Sequence, residues 1–176
     1  MLSRAAFIAL LTFVIGISVA YANNLAQQEQ SDEFHIYLVR HAEKTADKDD
    51  PNLTECGQKR AQHIAQLLNE LAIRNIFSTP YNRTQQTAAP LAAELELDVT
   101  VYSPLELELF ADKLLTIKGN TLVVGHSNTT PVLAGLLVDE DLQPFAETIY
   151  DRLYKVDVKK GKASLQILQQ GFSCDQ

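Results

Sequence analysis

Hydrophobic positions along the chain follow two alternating rhythms. Short runs rich in β-branched and aromatic residues recur at 34–40 (FHIYLVR), 75–79 (NIFST), 98–102 (DVTVY) and 120–125 (NTLVVG), and each predicts a strand. Between them the apolar spacing lengthens to three and four. In 53–71 (LTECGQKRAQHIAQLLNEL), Ala61, Ile64, Ala65, Leu68 and Leu71 mark one buried helical face. Thr54 is the expected N-cap, and Glu55 falls in the first turn, where a carboxylate suits the positive end of the helix dipole. Helices are also predicted within 83–95, 103–117 and 129–138. Pro90, inside the first of these, is expected to kink or interrupt it. Near the C-terminus, 152–158 (RLYKVDV) and 163–169 (ASLQILQ) flank Lys159-Lys160-Gly161-Lys162, the pattern of a hairpin. Strand and helix alternating in this way predict an α/β fold. The expectation is a three-layer sandwich: a mainly parallel sheet, helices on both faces, and a C-terminal antiparallel strand pair.

Residues 1–22 break the pattern. Arg4 precedes an apolar run from Ala5 to Val19, which ends in Ala20-Tyr21-Ala22. A positive start, an apolar middle and a small-x-small end predict a secretory signal peptide, removed on export; a membrane anchor is the competing reading of the same run. Residues 23–33 are polar and Gln-rich and read as a flexible lead-in, leaving 34–176 as one domain. The expected location is secreted or periplasmic, with no stable membrane insertion after cleavage. The formal net charge of −7 makes the chain a poor non-specific partner for nucleic acid or an anionic membrane. An anionic substrate would therefore need a local positive field from a few placed arginines. The two cysteines, Cys56 and Cys174, could pair in an oxidising compartment, and the sequence leaves pairing and free thiols equally open.

In open parallel sheets, ligands bind at the carboxyl ends of strands. Arg40 and His41 sit just past the first predicted strand, Asn82 and Arg83 follow the second, and His126, Ser127 and Asn128 follow the fourth. Two guanidiniums match the oxygens of a phosphoryl group and keep their charge at any working pH. Backbone N–H groups at the helix start near Arg83 are expected to add to that anion site. An imidazole can attack phosphorus if one ring nitrogen is unprotonated, and neighbouring arginine charge favours that form. A second imidazole can donate to the equatorial oxygens as charge spreads over them. Each residue taken alone is as well explained as a polar strand end or a solvated helix position. Their joint placement carries the chemistry.

The segments LVRHAEKT, FSTPYNRTQQTA and LVVGHSNT together resemble the histidine phosphatase superfamily, whose fold is phosphoglycerate-mutase-like. NLTECGQKRA is similar to that family's Gly-containing helix start. The resemblance implies a histidine-phosphatase-like catalytic domain over 34–176, with His41 as the nucleophile that forms a phosphohistidine which water then hydrolyses. It implies Arg40, Arg83 and His126 as the phosphate pocket, and an enzyme that needs no metal or other cofactor. Substrates of such an enzyme would be a phosphorylated small molecule, protein or cell-envelope component.

The chain departs from the pattern after the third strand, where many members supply a glutamate general acid. Here YSPLELELFADKL offers Glu106, the better candidate acid, and Glu108, and both also read as a solvated helix face. The short connections leave little room for a cap insertion. Asp47, Asp49 and Asp50 make no metal site without further ligands, and His35 and His63 read as structural or solvated. Ser127 resembles a nucleophile elbow only in part, because Thr129 stands where the second glycine should be. The leading expectation is an exported, metal-independent phosphatase. The alternative is a non-catalytic protein of the same fold that binds a phosphorylated ligand.

Overall fold

A computed structural model describes residues 33–174, so the leader expected at 1–22 and most of the lead-in lie outside the described residues. Glu33, which the sequence reading assigned to the lead-in, already belongs to a strand. In chain order the elements are β1 (Glu33–Arg40), α1 (Glu55–Leu68), β2 (Ile73–Ser78), α2 (Asn82–Leu95), β3 (Val99–Val101), α3 (Leu107–Thr116), β4 (Asn120–Gly125), α4 (Thr130–Val138), β5 (Arg152–Lys159) and β6 (Lys162–Gln169). They form one mixed sheet of order β3-β2-β4-β1-β5-β6. The β1–β4, β2–β4 and β2–β3 pairs are parallel; β1–β5 and β5–β6 are antiparallel. The expected sandwich is what forms.

β1 shows why the layers hold. Its side chains alternate between two cores: Phe34, Ile36 and Leu38 meet Phe110, Leu114 and Leu133 from α3 and α4, while Tyr37 and Val39 meet Ile64, Leu68 and Leu91 from α1 and α2. A strand covered on both faces reads as a nearly unbroken hydrophobic run. Each such side chain contributes about 1.5–3 kcal/mol when fully buried.

Some expected boundaries move. Pro90 lies inside α2, which runs on to Leu95. The proline forfeits one backbone hydrogen bond, but Ala88, Leu91 and Ala92 are buried around it and packing carries the helix through. α1 stops at Leu68, and Ala72 adopts φ +49° as the chain turns into β2. Leu71 is therefore 37% exposed instead of continuing the buried face. α3 begins only at Leu107, with Phe110, Ala111 and Leu114 buried, while Leu105 and Leu109 are exposed.

The start of α1 and the C-terminal tail brace the loop that follows β1. Thr54 caps α1, its hydroxyl accepting from the Gly57 N–H at 3.0 Å. A side chain at Gly57 would collide with the Glu43 carbonyl, so glycine lets the helix rest directly on that loop. Arg60, 5% exposed, donates from Nε to both Glu43 carboxylate oxygens at 2.9 Å and from Nη2 to one of them at 2.6 Å. Its Nη1 reaches the Gln170 side chain at 3.2 Å, and its guanidinium lies 4.8 Å from the centre of the Phe172 ring. His63 meets the Gln170 carbonyl at 2.7 Å. Cys56 and Cys174 are joined in a disulfide, Cα atoms 5.6 Å apart, so the pairing left open by the sequence is made. A covalent clip and a buried cation thus tie residues 170–174 to α1.

Two stability predictions follow from these contacts. Gly57→Ala should lower unfolding stability by about 1–3 kcal/mol, the usual cost of forcing atoms into a packed contact, measured by urea denaturation. Cys174→Ser should cost about 2–4 kcal/mol. Reductant should lower the melting temperature of the natural chain by a similar margin and leave that variant unmoved.

Candidate active site

The carboxyl ends of β2, β4 and β1 lie side by side, because β4 sits between the other two. Register keeps them level: Ser78 faces Val124, and Arg40 faces Gly125. One residue further on, the His41 N–H donates to the Gly125 carbonyl at 2.9 Å, and the Thr79 N–H to the Val124 carbonyl at 3.3 Å. Thr79 and His41 are thereby held by the sheet's own hydrogen bonding, while the His126 N–H donates to the Thr129 hydroxyl at 3.0 Å.

His41 is 3% exposed. Its Nδ1 lies 2.8 Å from the Ala42 carbonyl. A carbonyl only accepts, so Nδ1 carries the proton and the lone pair resides on Nε2. Burial drives the pKa of His41 down to about 3, with the charges of Arg40 and Arg83 pushing the same way against the Ala42 hydrogen bond. The ring is neutral throughout the physiological range.

His126 stands beside it, ring centres 5.5 Å apart. Its Nδ1 is 3.4 Å from Nη2 of Arg83, a group that can only donate, and its Nε2 is 3.0 Å from the Thr79 hydroxyl. The neutral ring therefore carries its proton on Nε2. The Thr79 hydroxyl accepts it and passes its own hydrogen to Thr84 at 2.9 Å. Burial, then Arg83 and Arg40, lower the His126 pKa to about 4. In this arrangement His126 holds the Arg83 guanidinium and has no spare N–H, a difference from the donor expected of it.

Arg83 also lies over the Tyr81 ring, 4.6 Å from its centre, and 3.7 Å from the Asp50 carboxylate. Asp50 further accepts from the Asn82 N–H at 2.9 Å. The first N–H of α2, expected to help hold an anion, thus already has one. Arg40 is 2% exposed and sits behind the cavity: its Nη1 donates to the carbonyls of Glu147 and Ile149, and its guanidinium stacks 4.1 Å from the centre of the Tyr150 ring. The Nε atoms of Arg40 and Arg83 are both buried without a hydrogen-bond partner.

The resulting cavity, about 280 Å³, is lined by His41, Arg83 and His126, with Lys44, Tyr81, Leu105, Ser127 and Glu147 among its other walls. Three of the four principal residues predicted from the sequence line it, and Arg40 supports it from beneath. Glu106 is exposed at the cap of α3 and is not among the lining residues. Thr79, Tyr150, Asp50 and Glu147 were not singled out for the site by sequence reasoning. Thr79 carried the best clue, lying at the tip of a predicted strand. Among the described residues, the close cluster of metal-type ligands is Glu43 with Cys56 and Cys174; it lies outside the cavity, its sulfurs are joined, and its carboxylate is held by Arg60.

The model of the histidine phosphatase superfamily (branch 1) matches residues 36–106, a span that includes Arg40, His41 and Arg83. A probable phosphoglycerate mutase, GpmB, of Cronobacter sakazakii (strain ATCC BAA-894) is 35% identical over 71 residues, 36% of this chain and 33% of that protein. The match thus spans about a third of that relative's length. Among solved structures, the protein histidine phosphatase SixA complexed with tungstate superposes with TM-score 0.67 at 18% identity, over 77% of this chain and 97% of that one. A putative phosphohistidine phosphatase SixA from Agrobacterium tumefaciens gives 0.59 at 21%, over 76% and 97%. A putative alpha-ribazole-5'-P phosphatase from Escherichia coli str. K-12 substr. MG1655 gives 0.64 at 17%, over 77% and 96%. These likenesses establish the fold. The segment matched by the family model, 36–106, carries Arg40, His41 and Arg83 of the site, and over that segment the chain is similar to the histidine phosphatase superfamily.

Proposed function

We propose that the chain is a phosphatase that works through a covalent phosphohistidine on His41 and needs no metal ion. The observation that carries this reading is the state of His41: a buried imidazole whose Nδ1–H is spent on the Ala42 carbonyl, leaving an Nε2 lone pair in a cavity beside Arg83. A nucleophile is useful only in its unprotonated form, and here burial and two arginines keep it so. As a phosphoryl group enters, Arg83 can exchange its contact with His126 Nδ1 for the anion's oxygens. A bound dianion also favours the His126 imidazolium, whose Nδ1–H then becomes a second donor. Arg40, buried and outside the lining, contributes through its charge, which acts on both imidazoles.

The fold neighbours include protein histidine phosphatases and a small-molecule phosphate ester phosphatase, which supports a phosphorylated protein or small molecule as the substrate class. An envelope component enters the same class if the chain is exported, as its first 22 residues propose.

The purified domain should hydrolyse p-nitrophenyl phosphate in excess EDTA. Acid-quenched mass spectrometry should find a phosphoryl group on the His41 peptide, and His41→Ala should lack both. Activity that chelation abolishes would sink the metal-free mechanism.

The depressed histidine pKa values set a second expectation. His41 gains its proton only near pH 3, so the nucleophile should impose no acid limb on kcat/KM above about pH 5, in place of one near 6.5. The unfolded chain takes up these protons below about 6.5 while the folded chain does not. Stability should therefore decline as pH falls from about 6.5 toward 3, and His41→Ala should flatten that decline in thermal melts.

A further inference from the structure

We propose that Glu147 is the proton donor to the leaving group and then the base for the attacking water. This inference rests on the phosphohistidine reading above. Displacement at phosphorus is in line, so the leaving oxygen departs on the side opposite the nucleophile. His41 is the most deeply buried of the residues lining the cavity, at 3% exposed, so the leaving oxygen departs toward the more exposed lining residues. Glu147 lines that same cavity, is exposed, and is the one carboxyl-bearing residue among those that line it. Lys44 and Tyr81 are other titratable side chains in that lining. A carboxyl is the group there best suited to give up a proton and take one back in successive steps.

The mount is firm although it belongs to no helix or strand. The Glu147 carbonyl accepts from Arg40, as does that of Ile149 at 3.1 Å, and the Tyr150 ring covers the same guanidinium. The Phe145 N–H donates to the Ser127 carbonyl at 3.2 Å, and the Ile149 N–H to the Ala146 carbonyl at 3.0 Å. Residues 145–150 are thus pinned to the ends of both β1 and β4. The Glu147 carboxylate also interacts with the Arg40 charge, so it sits in the field of the site.

In the first step the bond from His41 Nε2 to phosphorus forms as the bond from phosphorus to the leaving oxygen breaks, and the Glu147 carboxyl proton passes to that oxygen. In the second, water adds to phosphorus, its proton goes to the Glu147 carboxylate, and the bond from nitrogen to phosphorus breaks. Inorganic phosphate leaves and the carboxyl is restored.

The test is kcat/KM for a series of phosphate monoesters, from p-nitrophenyl to simple alkyl leaving groups. Glu147→Gln should lose about a hundredfold on alkyl esters but only about threefold on p-nitrophenyl phosphate, whose leaving group needs little help. Leaving-group dependence steepens accordingly, Glu147→Asp recovers part of the loss, and Lys44→Gln lowers the whole series in parallel. The side chain is exposed and its backbone makes the contacts to Arg40, so the variant should fold, with unchanged circular dichroism. An equal loss across the series, or a gain, overturns the role of Glu147 alone. A natural chain that hydrolyses no ester and forms no phosphohistidine instead fails the parent reading.

Discussion

The hydrogen bond from the His41 N–H to the Gly125 carbonyl extends the β1–β4 ladder one residue past the last strand position. The rest of the site depends on it. β1 is covered on both faces by separate hydrophobic layers, so it cannot shift without disrupting two cores at once. A side chain mounted on such a strand keeps its orientation, and a fixed near-attack geometry is worth several kcal/mol to a displacement reaction. Neutral His41 is possible for the same reason: the backbone places Nδ1 against the Ala42 carbonyl and buries the ring.

An acidic chain needs a local source of positive potential to take an anion. Arg40 and Arg83 provide it differently. Arg40 is nearly inaccessible and held by carbonyls and an aromatic face, a fixed charge beneath the cavity. Arg83 is held by contacts that can be exchanged: a long hydrogen bond to His126, an ion pair of 3.7 Å with Asp50 and a stacked tyrosine. The first can preorganise the field, and the second can follow an incoming ligand. The histidine pKa values are depressed first by burial and then by this arrangement, since each imidazole feels both cations.

The loop after His41 is braced from an unexpected direction. Glu43, two residues past the proposed nucleophile, is gripped by Arg60 of α1, which in turn holds the C-terminal tail through Gln170 and Phe172. The disulfide closes the same assembly. Removing one partner of a buried ion pair strands the other, so the tail contributes to the stability of the loop although it is far from the site in sequence.

Periodicity alone determined the strands, the helix faces and the layered α/β architecture, because alternation of two and spacing of three or four are local properties of side-chain direction. Arg40, His41, Arg83 and His126 were legible as well, since each follows a recognisable strand. Neighbourhood required the tertiary structure: β4 enters between β1 and β2, and no local signal says so. Hydrogen bonding then assigned duties that residue type could not, placing the Asp50 carboxylate at the start of α2 and giving the N–H of His126 to Thr79. Glu106 occupied the expected stretch of sequence but faces solvent, while Glu147 reaches the cavity from a segment without periodicity. A loop's course is decided by long-range contacts, here those of Arg40 and Ser127, and these have no local signature in the chain.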